Sequence, residues 1–91
     1  MPDGAPPPAT AYEQARRCLE IIVSALAEAG ATPEDVVRTR MFVTAPEHWD
    51  GVSRAHGEVF ASIRPASTCV VTQLLDPRWL VEIEADAILR S

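Results

Sequence analysis

Val36 to Thr44 reads VVRTRMFVT, and the way this run alternates decides how the rest of the chain is read. Val37, Thr39, Met41 and Val43 fall on one side of a period of two, and Arg38, Arg40 and Phe42 on the other. That pattern predicts a strand with one face toward a core and the other toward different surroundings.

Upstream of it, Ala15, Cys18, Leu19, Ile22, Ala25, Leu26 and Ala29 recur at spacings of three and four, which predicts an amphipathic helix over Tyr12 to Ala29. Gly30 follows as a helix stop. Ala31-Thr32-Pro33-Glu34-Asp35 sets a capping threonine ahead of a proline and two acids, as in a short helical turn that feeds the strand. Pro2 to Thr10 holds four of the eight prolines together with Gly4. Proline fixes φ and removes an amide donor, so residues 1–11 are expected to be a tail or loop, with one domain over 12–91.

Downstream, Pro46 opens a second helix whose face is Trp49, Val52, His56, Val59, Phe60 and Ile63, ended by Pro65. Thr68 to Leu75 (TCVVTQLL) is rich in β-branched residues, and Asp76-Pro77 marks a turn. Leu80 to Leu89 then alternates, with Val81, Ile83, Ala85, Ala87 and Leu89 on one face and Glu82, Glu84 and Asp86 on the other. The expected order is α-β-α-β-β, with the last two strands paired as a hairpin and two helices covering one face of an α+β sheet. The second face would show Arg40, Phe42 and the acidic ladder. Another subunit against it would account for both Phe42 and the mostly apolar penultimate strand.

The totals set limits on function. Ninety-one residues make a single small domain, for which oligomerisation is the natural supplement to a modest core. Hydrophobic residues at 47% against 23% charged, with a mean hydropathy of +0.02, describe a globular chain. Thirteen acidic against eight basic residues give a formal charge of -5, which repels phosphate backbones, so no nucleic-acid partner is expected. No apolar run approaches the roughly 18 to 20 residues of a membrane span, and two cysteines with no secretory leader point to a reducing, cytoplasmic setting with no membrane partner.

Several pieces, in order, are similar to one family. QARRCLEIIVSALAEAGATPEDVVRTRMFVT, HGEVF and LVEIEADA resemble successive landmarks of the Rid family (YjgF-like, reactive intermediate deaminases), and the match runs from about Glu13 to Ile88. The resemblance implies a chorismate-mutase-like (YjgF-like) mixed sheet with two helices on one face. It also implies a homotrimer with sheets turned inward, and a cofactor-free ligand cleft at each subunit boundary. Members with the full site hydrolyse reactive 2-imino or 2-enamino acids to 2-oxo acids and ammonia. Two departures stand out. The strands that usually precede the first helix have no counterpart here, as in a fragment, a late start or a shortened variant. The arginine that clamps the substrate carboxylate, two residues before the cysteine position, is Ser67.

Residue by residue, the resemblance makes Glu82 the acid that positions water or relays a proton to the departing amine. It makes the Cys69 backbone N–H a contact for the ligand carboxylate. Ser67 can donate one hydrogen bond but cannot restore the lost charge. Arg64, three residues before it, is a candidate replacement, since a guanidinium forks well onto a carboxylate, and Arg40 is another. Each has a structural alternative: Glu82, Glu84 and Asp86 suit a solvated or salt-bridged sheet face, Cys69 a buried small hydrophobe, and the arginines surface ion pairs. His56 and His48 lack any second ligand at metal spacing and suit packing or surface roles, so no metal is expected. The expected ligand is a small carboxylate-bearing metabolite. The rivals are a non-catalytic ligand-sensing or scaffolding trimer and, against the charge, a ribonuclease or translation inhibitor.

Overall fold

The computed structural model describes residues 7–89; residues 1–6, most of the proline-rich segment, lie outside the described residues, as do 90 and 91. Helix α1 spans Ala11–Glu28, strand β1 Val36–Val43, helix α2 Trp49–Phe60, β2 Ala66–Val71 and β3 Val81–Ala87. Short 3-10 turns at Pro33–Asp35 and Pro46–His48 lead into β1 and α2. This is the expected order α-β-α-β-β, with each predicted element present and most ends trimmed.

Local chemistry accounts for those ends. Thr10 caps α1, its Oγ1 accepting from the Glu13 amide at 3.1 Å, and Gly30 closes it at φ +85°, a conformation that costs glycine nothing. At Thr32 the Asp35 carboxylate accepts from the backbone amide at 2.9 Å, fixing the turn before β1.

The strand pairing departs from expectation. The order is β2-β1-β3, with β1 central, β2 parallel to it and β3 antiparallel to it, so the final two strands form no hairpin. The helix between β1 and β2 makes a crossover that returns the chain parallel to β1, and β3 is left to fill the other side. The linker from Thr72 to Leu80 passes under the end of β1. There the Thr72 amide donates to the Val43 carbonyl at 2.8 Å, and the Thr44 amide to the Leu80 carbonyl at 3.1 Å. Because β1 stops at Val43, the ladder of β2 closes with that Thr72 amide bond, and β2 ends earlier than its composition suggested.

The core lies between the helices and one face of the sheet. Leu19 and Ala15 of α1, Val52, Ala55 and Phe60 of α2, Met41 and Val43 of β1, and Val81 and Ile83 of β3 are all buried there. Val37 is 44% exposed although its parity points inward. The pairing with β3 slips between Val36 and Arg38, so Val37 is the extra residue of a bulge and Val36 takes the inward place. Trp49, at the first position of α2, also stays largely outside the core.

The two helices cross closely. A Cβ built on Gly51 of α2 would stand 3.0 Å from the Tyr12 backbone nitrogen and 3.1 Å from its Cβ. Tyr12 in turn donates to the Glu58 carboxylate at 2.7 and 2.8 Å, and its ring lies under the Arg54 guanidinium at 4.0 Å. Gly51→Ala is therefore expected to cost about 1–3 kcal/mol of unfolding free energy, measured by urea denaturation, because the obstacle is backbone.

Candidate functional site

Glu82 follows the first residue of β3 and, by alternation, points away from the helices, exposed and opposite Phe42 of β1. Two residues on, Glu84 faces Arg40, whose Nε donates to it at 2.9 Å and whose Nη1 lies 3.1 Å from Asp86. These two carboxylates, Glu84 first, hold the guanidinium proton more tightly than usual. Arg40 is thus committed to a cross-strand ion pair, the structural alternative for that residue.

Glu82 borders two concave surfaces. One is a groove of about 380 Å³ walled by Cys18 and Ile22 of α1, Leu74 and Trp79 of the linker, and Ile83. The other is a shallower hollow of about 300 Å³ on the outer sheet face, shared with Phe42, Val70, Thr72 and Glu84. Burial, and then the Glu82 carboxylate, push the Cys18 thiol upward, so it lines the groove as a protonated, unreactive group.

The remaining candidates run along the opposite edge. Arg64 ends the α2 region in the left-handed conformation (φ 56°), with its amide on the Phe60 carbonyl at 2.9 Å, and its side chain is exposed. Cys69 sits opposite Met41 and is only half-buried, although its alternation with Val71 suggested full burial; Val71 itself is 55% exposed. Both lie on an edge strand that only β1 covers. Desolvation still raises the Cys69 thiol, in keeping with packing rather than chemistry for that side chain.

Ser67 belongs to an unforeseen chain of hydrogen bonds. It pairs with Thr39 across the sheet, and the two hydroxyls lie 2.9 Å apart. Ser67 Oγ donates to the Pro65 carbonyl at 3.2 Å, while Thr39 Oγ1 lies 2.9 Å from His56 Nε2. A hydroxyl carries one proton, so with Ser67 donating to Pro65, Thr39 must donate to Ser67 and the imidazole Nε2–H to Thr39. Ser67 was expected to offer a ligand one donor; in the folded chain its hydroxyl lies within hydrogen-bond reach of Thr39 and of the Pro65 carbonyl.

His56 is half-buried and packs on Phe60 in a tilted arrangement, with ring centroids 4.8 Å apart, the packing role its helical position suggested. Burial holds its pKa below the ordinary 6.5. The unfolded chain therefore takes up the proton more readily, so this contribution to stability is complete above the unfolded value and lost as pH falls below it. The parent's thermal midpoint is expected to decline between about pH 7 and about pH 5, and His56→Gln to flatten that decline, measured by thermal denaturation across the range.

One chain does not bring the predicted site together. Glu82 is on one edge strand and Ser67, Cys69 and Arg64 are on or beside the other, with β1 between them, a span of about 10 Å at ordinary strand spacing. The side chains also diverge. Ser67 and Cys69 share the helix side with Thr39 and Met41, and Glu82 faces away.

A three-stranded mixed sheet under two helices, in this order and pairing, defines a YjgF-like α+β protein. The family model described as Endoribonuclease L-PSP matches residues 2–89, and the chain belongs to that family, the YjgF family. It is similar to a crystal structure from Mycobacterium tuberculosis, described as a member of the YjgF/YER057c/UK114 family. That similarity is 46% identity and a TM-score of 0.86, covering 90% of this chain and 70% of the other. A Thermotoga maritima structure described as a putative endoribonuclease is 28% identical with a TM-score of 0.86, covering 92% and 66%. An uncharacterised Streptomyces coelicolor protein is 42% identical over 77 residues, 84% of this chain but only 58% of that relative's length. Among the described residues, no helix is long and apolar enough to cross a membrane.

Proposed function

We propose that this is a cytoplasmic, Rid-like homotrimer that binds a small carboxylate-bearing metabolite in a cleft between its copies. There it hydrolyses a reactive imine or enamine to a carbonyl compound and ammonia without a cofactor. The observation that carries the reading is the division of the candidate site between the two edge strands, which leaves each chain with half of it. A neighbouring copy on the outer sheet face would supply the other half and cover Phe42 and Val70, the latter 42% exposed on the single chain.

In such a cleft the Cys69 amide and Arg64 would hold the ligand carboxylate. Water would add to the carbon of the protonated imine as Glu82 takes its proton, giving a neutral carbinolamine. Return of that proton to nitrogen would make ammonia the leaving group, and the C–N bond would break as Glu82 takes the hydroxyl proton, leaving the carbonyl; that last proton passes to solvent. The test is ammonia release from an imine generated in situ by an amino-acid oxidase, alongside sedimentation velocity. Acceleration by a trimer supports the reading, and a monodisperse single subunit without acceleration ends it.

The substitution of Ser67 for the clamping arginine favours a second reading, a non-catalytic ligand-sensing or scaffolding trimer. It would bind a 2-oxo acid without accelerating imine loss. Relatives described as endoribonucleases suggest a third activity, but a formal charge of -5 opposes RNA binding.

A further inference from the structure

We infer that the open edge of β3 takes an added strand from another polypeptide, an extended segment that alternates aliphatic with lysine or arginine side chains. The inference concerns an edge and the groove beside it, and stands apart from the ligand cleft proposed above.

β1 covers one edge of β3, and among the described residues no strand covers the other. The Thr44 amide donates to the carbonyl of Leu80, which lies opposite it in register, and this fixes which β3 residues bond to β1. In an antiparallel ladder such residues alternate, so Leu80, Glu82, Glu84 and Asp86 turn their backbone groups toward β1. Val81, Ile83, Ala85 and Ala87 turn theirs outward, a row of donors and acceptors open to a further strand.

What lies on either side of that edge defines the strand that fits. On the helix side, Cys18, Ile21 and Ile22 of α1 wall the groove of about 380 Å³ together with Val81 and Ile83. Ile21 and Ile22 are only half-buried, so aliphatic side chains of an added strand would cover surface that one chain leaves in water. On the outer side β3 offers Glu82, Glu84 and Asp86, all exposed, and no cation. Arg40 answers the last two, and Glu82 has no ion-pair partner among the described residues. Side chains of adjacent strands that share a face stand close enough to pair, so the outer positions of the added strand favour lysine or arginine.

None of the segments free to pair in a second copy has that pattern. A copy's β3 would set three carboxylates against three, and a copy's β2, ASTCVV, carries no charged side chain. Pro2 to Thr10 has four prolines and no cation, and proline cannot donate to a ladder. The acids thus keep copies apart at this edge while drawing a basic strand to it.

The test is hydrogen exchange of the 15N-labelled full chain, read amide by amide by NMR, with three capped seven-residue peptides as probes. A peptide alternating lysine and valine is expected to slow exchange at Val81, Ile83, Ala85 and Ala87 about tenfold or more, and to leave Glu82, Glu84 and Asp86 unchanged. Peptides alternating glutamate with valine, or lysine with serine, each lack half of the pattern and should bind about tenfold more weakly in amide-shift titrations. Ala85→Pro removes an outward donor without touching the ladder to β1, and should abolish the protection. Should that variant fail to fold, Ile21→Lys, which sets a charge in the groove, gives the same reading through about tenfold weaker binding. No slowing with the lysine–valine peptide overturns the inference, as does equal binding of either control peptide. So do outward amides already protected in the free chain and released on dilution, which would put a second copy on the edge.

Discussion

Gln14→Ala is expected to lower the unfolding free energy by about 3 kcal/mol, from the loss of three hydrogen bonds made by one buried side chain to partly buried backbone groups. The side chain is 1% exposed and forms three hydrogen bonds, none of them within α1. Its Nε2 donates to the Pro8 carbonyl at 2.9 Å and to the Arg78 carbonyl at 3.0 Å, and its Oε1 accepts from the Leu80 amide at 2.7 Å. One amide thus ties the segment before α1 to the linker that enters β3. Alanine would leave two carbonyls and an amide without their present partners in a partly buried setting. Glutamate would keep the acceptor but present a carboxylate to two carbonyl oxygens, so Gln14→Glu should be at least as harmful near neutral pH. Urea denaturation of both variants checks this, and a loss below about 1 kcal/mol in each would show that water replaces the amide at little cost.

Glu82→Gln is expected to reduce ammonia release from an in situ imine by about 100-fold or more, the usual worth of a general acid or base. Glutamine keeps the size and one oxygen acceptor but cannot accept and return a proton. Among the described residues Glu82 has no ion-pair partner, whereas Glu84 and Asp86 are tied to Arg40. The fold should be indifferent to the change, because an exposed carboxylate contributes little to stability. Unchanged turnover in a variant with an unaltered thermal midpoint would remove Glu82 from the chemistry. Retained 2-oxobutyrate binding with lost turnover would separate its catalytic role from ligand capture.

Much of the fold is legible because periodicity records local surroundings. The alternation of LVEIEADA places Val81 and Ile83 inward and the acids outward, and Leu19, Val52 and Phe60 sit where their three- and four-residue spacings put them. Gly30 and Thr32 mark a helix end and a turn through the chemistry of single residues. Glu82 and Cys69 are candidates by resemblance alone, which preserves residue order but carries no geometry. Arg40, read as either a clamp or an ion pair, was resolved only when β3 came to lie beside β1 and put Glu84 opposite it.

The amino-acid sequence by itself determined which residues face inward along each element, because a side chain's direction repeats with the local backbone period. Only the tertiary structure decided which strand lies beside which. It placed β1 at the centre, displaced Val37 by a bulge, brought Gln14 to Arg78 and Leu80, and aligned Ser67 with Thr39. Strand pairing is a choice among distant segments, settled by the crossover helix and by competition for one central strand. No local pattern in the sequence encodes it.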